Sequence, residues 1–215
     1  MGGTLLPVFT RVIAGSPVRK TRLHSQRGKA IPLGTLIRNG PRTLWDGLAR
    51  VLFGVRRARP WISYDAQKVI DRHLTPDSHV LEFGSGMSTH WYAKRAASVF
   101  AIEHLPEWFA NLRGPPNVTA KLAQSEADYT DFPKRPYDLI MVDGIHRVAC
   151  VKAALPHLAP GGILYLDNAD REGDYAEAVE LLLDYAAKEG CKVQWFTDFV
   201  TAQLFVEEGL LVCRL

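Results

Sequence analysis

The sequence predicts a doubly wound α/β fold with a mostly parallel, Rossmann-like sheet of seven strands. Three observations carry that expectation. From residue 61 onward, short apolar runs alternate with helical periods, the alternation that builds a parallel sheet with helices on both faces. Three of the runs close on a carboxylate, at Glu103, Asp143 and Asp167. The first run passes through Glu82 into Gly84-Ser85-Gly86 and then into a helix with Ser88 and Thr89 near its start, which is how a parallel sheet receives a nucleotide-like ligand.

Residues 1–40 carry Gly, Pro and basic side chains without a sustained period and predict a loosely ordered arm. Leu44, Leu48, Val51, Leu52 and Val55 then recur at helical spacing. Thr43 with Asp46 resembles a capping box, Arg56, Arg57 and Arg59 suit a helix C-terminus, and Pro60 closes the helix. Its apolar stripe is expected to pack on the domain that follows, as a lid or a homodimer contact, although a basic amphipathic helix also suits a membrane surface. The chain thus divides into a basic arm with one amphipathic helix, residues 1–60, and an α/β domain, residues 61–215.

Within the domain, Ala66, Val69, Ile70 and His73 mark a helix ended by Pro76-Asp77. Strands are expected at 79–83, 98–103, 117–122, 138–143 and 162–167, with helices at 88–96, 106–113 and 147–157. Ala159-Pro160-Gly161-Gly162 reads as a turn into the last of these strands. A helix over 173–188, with Ala178, Val179, Leu182 and Tyr185 on one stripe, stops at Gly190, and strands at 192–197 and 202–207 finish the sheet. Right-handed crossovers place ligands beyond the carboxyl ends of the strands.

Composition sets the bounds. A chain of 215 residues, 47% hydrophobic, supports one substantial core and not two. No apolar run approaches the roughly 20 residues of a membrane span, and the Leu5 to Phe9 cluster is shorter than the about 7 to 15 residues of a secretory core. A cytoplasmic protein is expected. Cys150, Cys191 and Cys213 are odd in number and widely spaced, which suits free thiols rather than a disulfide framework or zinc site. Residues 1–60 hold 12 Lys or Arg against the single acid Asp46, a charge of +11, while the remainder carries −8. That asymmetry suits contact with nucleic acid or an anionic membrane, or an arm folding back on its own acidic domain.

Gly84 and Gly86 allow a tight turn and close approach of a ligand. Thr89 stands where a dinucleotide fingerprint has its third glycine, and this departure favours S-adenosylmethionine over NAD. Glu103, 17 residues beyond Gly86, is spaced to reach ribose hydroxyls. Gln124, Ser125 and Glu126 follow the third strand, where they can touch an adenine.

Glu-Phe-Gly-Ser-Gly, Ala-Ile-Glu, Tyr-Asp-Leu-Ile-Met-Val-Asp and Leu-Ala-Pro-Gly-Gly follow one another in an order and spacing that resembles the class I S-adenosylmethionine-dependent methyltransferases, from residue 61 to the C-terminus. The resemblance implies S-adenosylmethionine as cofactor, surrounded by Glu82, Gly84, Ser85, Gly86, Ser88, Thr89, Glu103, Ser125 and Asp143, with Glu82 near its methionine part. Within the superfamily the chain is similar to the metal-dependent catechol and caffeoyl-coenzyme A type and to bacterial small-molecule O-methyltransferases. By the first likeness Asp143, Asp167 and Asn168 would hold Mg²⁺, a Lewis acid toward the acceptor oxygen. His146, three residues past Asp143, would stand where that type holds its general base lysine, and histidine titrates in the right range to take a hydroxyl proton. The catalytic candidates are therefore His146 and Asp143.

Arg147, Asp170 and Arg171 border the same mouth and are candidates for choosing the substrate, whereas Trp91, Tyr92 and Trp108 have the spacing of core residues. The implied activity is O-methylation of a small hydroxylated acceptor. Its competitor is a non-catalytic methyltransferase fold whose basic arm binds RNA or an anionic membrane.

Overall fold

The computed structural model describes residues 14–55, 58–110, 112 and 115–215; the Leu5 to Phe9 cluster, Arg56 and Arg57 lie outside them. The described residues open with a hairpin, β1 Ala14–Ser16 and β2 Arg19–Thr21, followed by helices α1 Leu33–Phe53 and α2 Tyr64–His73. The domain then runs β3 His79–Phe83, α3 Met87–Ala93, β4 Ser98–Glu103, α4 Pro106–Ala110, β5 Val118–Leu122, α5 Glu126–Tyr129, β6 Tyr137–Val142, α6 Arg147–Ala154, β7 Leu158–Leu166, α7 Asp174–Glu189, β8 Lys192–Phe199 and β9 Val206–Cys213.

Seven strands form one sheet in the order β5-β4-β3-β6-β7-β9-β8, the first five parallel and β9 antiparallel to both its neighbours. Side chains alternate between the faces of a strand, and the apolar runs sort accordingly. Leu81, Phe83, Ile140, Val142 and Leu164 pack under α6 and α7, against Val151 and Leu182. Val80, Val99, Leu139, Met141 and Ile163 pack on the opposite face against Ile70, Trp91 and Tyr92 of α2 and α3. Both faces are covered, so the carboxyl edge of the parallel strands is where side chains meet open space.

Three expectations are corrected here. The last strand spans 206–213 and not 202–207. Glu207, Glu208 and Gly209 break its apolar pattern, yet each is accommodated: Glu207 by Arg19 at 2.7 Å, Glu208 by Ser25 at 2.8 Å, and Gly209 because the Tyr165 hydroxyl fills the place of a Cβ. The Ala-Pro-Gly-Gly segment lies inside β7, with a register shift against β6, rather than forming a turn before it.

The described part of the arm, residues 14–32, holds defined contacts rather than the loose order expected. Besides the Arg19 and Ser25 contacts, Arg22 accepts the Val206 N–H at 3.0 Å and the Gln26 N–H reaches Asp170 at 2.7 Å. Part of the basic segment therefore folds back on carboxylates of its own domain.

Helix α1 is the third correction. It starts at Leu33 rather than Thr43 and runs through Pro41, so Thr43 and Asp46 are mid-helix and cap nothing. They point inward instead: Thr43 donates to the Gln203 carbonyl at 3.0 Å, Asp46 accepts from the Tyr64 hydroxyl at 3.0 Å, and Asn39 donates to Asp198 at 2.8 Å. The stripe of Leu44, Leu48, Val51 and Leu52, expected to pack on the domain, is exposed. Among the described residues no helix is long and apolar enough to cross a membrane.

Candidate active site

The turn after β3 is built from beneath. Glu82 points away from solvent under the start of α3, where it accepts hydrogen bonds from Ser88 Oγ at 2.5 Å and Thr89 Oγ1 at 2.6 Å. Thr89 Oγ1 in turn accepts the Gly86 N–H at 3.1 Å, closing the first turn of the helix. A threonine replaces the third glycine because its hydroxyl ties the turn to the buried acid. Burial pushes the Glu82 carboxyl up to about 8, against the two hydroxyl hydrogen bonds, so it is largely protonated at neutral pH. Gly84 has φ +89°, and a Cβ there would fall 2.7–2.9 Å from the backbone of Asp143 and Gly144. This glycine makes room for the neighbouring strand end and also lines the cleft.

Glu103 closes β4 and faces the open cleft. Its Oε2 accepts Ser85 N–H at 2.9 Å and Ser85 Oγ at 2.7 Å, while Oε1 accepts the N–H groups of His104 and Leu105 at 2.8 and 2.9 Å. A nearly buried carboxylate is thus fixed by three backbone donors at the carboxyl end of the sheet.

The cleft itself, about 280 Å³, runs from the Gly84 to Ser88 turn and Glu103, past Asp143 and Gly144, to Arg147, Asn168, Arg171 and Tyr175. Trp61 and Trp108 stand edge to face, 6.1 Å apart, along its wall. Trp108 is therefore a cleft residue, while Trp91 and Tyr92 are core as expected. The sequence signal for Trp108 was its place just after a strand end; helical spacing alone could not distinguish the two.

A second hollow of about 380 Å³ adjoins the first, sharing His104 and Ile145, and is lined by Leu122, Gln124, Ser125, Tyr129 and His146. Ser125 also caps α5, accepting the Asp128 N–H at 3.1 Å. His146, expected as the general base beside Asp143, is in this second hollow. It sits at the start of α6 with φ 52°, a left-handed conformation that turns its ring toward Glu126, Nδ1 to Oε2 3.3 Å. His146 and Asp143 are brought to different hollows.

The expected Mg²⁺ ligands do converge, but around a guanidinium. Arg147, buried at the start of α6, donates from Nη2 to Asp143 Oδ1 and to Asn168 Oδ1, both at 3.2 Å. Its Nη1 donates to the carbonyls of Val142, at 3.1 Å, and Asp167, and its Nε to Gly144 O at 3.1 Å. Asn168 spends its amide N–H on Glu207 at 2.6 Å, and the Asp167 carboxyl takes the Tyr165 hydroxyl at 3.2 Å. Burial, with Asp143 and Glu207 close by, holds Asp167 well above the usual carboxylate range, and its carboxyl hydrogen-bonds to Asp143. Burial also raises Asp143, opposed by Arg147. A divalent cation needs anionic oxygens facing free space. Here a fixed cation already occupies that space and burial pushes Asp167 toward its neutral form, so Asp143, Asp167 and Asn168 do not fit Mg²⁺.

Residues 81–169 match the family model of a methyltransferase domain. No curated protein matches the chain. Among solved structures it is similar to the O-methyltransferase TomG from Streptomyces achromogenes, involved in tomaymycin synthesis and bound to S-adenosylmethionine, at TM-score 0.56 and 15% identity over 84% of this chain and 95% of that one. It is also similar to an O-methyltransferase from Bacillus cereus in complex with S-adenosylhomocysteine, at TM-score 0.53 and 17% identity over 81% and 91% of the two chains. An rRNA methylase from Streptococcus thermophilus aligns at TM-score 0.54 and 14% identity, covering 71% and 95%. The chain therefore carries a segment matching a methyltransferase domain and shares the fold of these methyltransferases, with the seven-stranded sheet expected from its sequence.

Proposed function

We propose that this enzyme transfers the methyl group of S-adenosylmethionine to a hydroxyl oxygen of a small molecule without a metal ion. One observation carries the proposal: a single cleft is lined by the Glu103 carboxylate, the Trp61 and Trp108 pair and Asp143. Glu103 suits the two ribose hydroxyls, because its backbone donors hold it in place while Ser85 Oγ can yield to a ligand. The second hollow, with Ser125 and His146, suits the adenine. When bound, the donor supplies an electrophilic methyl on a positively charged sulfur.

The chain's own task is then alignment and proton removal. Trp61 and Trp108 cover the apolar part of the acceptor and exclude water. Asp143, whose side chain is 35% exposed to the cleft, accepts the hydroxyl proton as the new carbon–oxygen bond forms and the carbon–sulfur bond breaks. Arg147 opposes the upward push that burial exerts on that carboxyl and fixes its direction. The two O-methyltransferases among the structural neighbours support the choice of oxygen as acceptor atom.

The test combines calorimetric titration of S-adenosylmethionine with turnover on a panel of phenols, catechols and sugars in excess EDTA. Donor binding with undiminished turnover in EDTA is the expected result. Failure to bind the donor, or activity restored only by Mg²⁺, overturns the proposal.

A further inference from the structure

Helix α1 is amphipathic with its faces reversed. Toward its own domain it presents Asn39, Thr43, Asp46 and Gly47, three of them hydrogen-bonded to β8, to the loop between β8 and β9, or to α2. Toward solvent it presents Ile37, Leu44, Trp45, Leu48, Val51 and Leu52, with Val51 80% and Trp45 67% exposed. At about 100° per residue these six share roughly a third of the helix circumference, along roughly 20 Å of its length. Single exposed apolar side chains are ordinary, but a continuous stripe of this size marks a surface that another phase or molecule covers.

Charge selects the occupant. The basic side chains of α1 are three arginines: Arg38 is 53% exposed beside Asp65, while Arg42 and Arg50 are half-buried over the Tyr64 and Trp61 rings, and the helix's one carboxylate, Asp46, is buried against Tyr64. Exposed Lys20, Arg27 and Lys29 precede the helix. A second copy laid stripe to stripe would bring like rows of arginines together with no carboxylate of the helix to answer them. A surface that is apolar within and anionic at its rim answers both features, since long basic side chains reach the rim while Trp and Leu enter beneath it. Because the polar face is bonded to the domain and the helix is unsuited to crossing a bilayer, the geometry is that of a helix lying flat.

We infer that α1 docks the protein on an anionic lipid surface, its stripe in the acyl boundary, with exposed Arg38 and the basic side chains of the preceding segment among the headgroups. Docking also orients the cleft. Trp61, which lines it, shares a small hollow with Ala49, Arg50 and Val55 at the end of α1.

The experiment is co-sedimentation of the full chain with phosphatidylcholine vesicles, with and without phosphatidylglycerol, read together with tryptophan emission. Wild type is expected to bind the mixed vesicles at least about tenfold more tightly than the neutral ones, less so at high salt, with a blue shift that Trp45→Phe removes. Leu48→Asp with Leu52→Asp, at positions already in water, should keep the wild-type melting temperature and weaken binding at least about tenfold; the milder Leu44→Ser with Val51→Ser should fall between. Equal binding of the folded variants overturns the inference. So does a wild type that ignores phosphatidylglycerol vesicles, whether it instead forms a dimer broken by the same substitutions or is retained by RNA alone.

Discussion

Arg147 places one nitrogen 3.2 Å from Asp143 Oδ1 and 3.2 Å from Asn168 Oδ1, so a single guanidinium spans the ends of β6 and β7. Three backbone carbonyls take its remaining donors, which leaves the charge fully coordinated although the side chain is only 2% exposed. Arg147→Met removes a buried cation from its partners, and the loss of stability is expected to be about 3–5 kcal/mol by chemical denaturation. The same variant leaves Asp143 and Asn168 facing an open space. Mg²⁺ should then raise its melting temperature while leaving that of the wild type unchanged.

Glu82 offers a pH test. Its pKa is raised from 4.5 to about 8, so the folded protein keeps a proton that the unfolded chain releases above about pH 4.5. Its contribution is therefore least costly in acid, and stability falls as pH rises from about 4.5 to 8, by a total on the order of 5 kcal/mol. Glu82→Gln cannot ionise yet still pairs with Ser88 and Thr89. Thermal melts across that range should show the variant gaining on the wild type toward alkaline pH, and parallel curves would refute the assignment.

Gly84→Ala is expected to be poorly tolerated for two reasons that add. Its backbone has φ +89°, and the new Cβ would press on backbone atoms that cannot rotate away. A loss of about 3 kcal/mol or more in urea unfolding is expected. Gly86→Ala should be milder, since its Cβ would meet only the Trp108 ring at 3.6 Å.

The division of the site predicts a kinetic split. Glu103→Ala removes the proposed ribose contact and should weaken donor binding about 100-fold by calorimetry. Asp143→Asn should spare donor binding and depress kcat by about 100-fold or more. His146→Ala is expected to raise the KM for the donor by less than about tenfold and leave kcat near the wild-type value. A collapse of kcat in His146→Ala with donor binding intact would return the proton-accepting role to the histidine.

The parallel half of the sheet was legible because each strand is a short apolar run closed by a turn or an acid, and β3 and β4 match residue for residue. Glu103, Ser85 and Asp143 were legible for the same reason, since strand ends fix where their side chains emerge. What periodicity could not supply was direction. Thr43 and Asp46 read as a cap because their spacing is local, but the hydrogen bonds that bury them come from Gln203 and Tyr64. Glu207 and Glu208 hid a strand because their partners are distant in the chain, Arg19 and Ser25 in the arm and Asn168 and Arg171 beyond β7. The same limit applied to the site: Asp143, Asp167 and Asn168 have the composition of a metal centre, and only the turn into α6 shows that Arg147 reaches it first.

Pro41 gives α1 a property of its own. Lacking an N–H, it leaves the carbonyl of Ile37 without its helical donor, on the side of the helix that meets solvent. At an interface water reaches that oxygen freely, whereas within hydrocarbon an unsatisfied carbonyl costs several kcal/mol. On the lipid surface inferred above, the proline would act as a float line, setting how far the helix can sink and holding the domain at the level where headgroups are still wet.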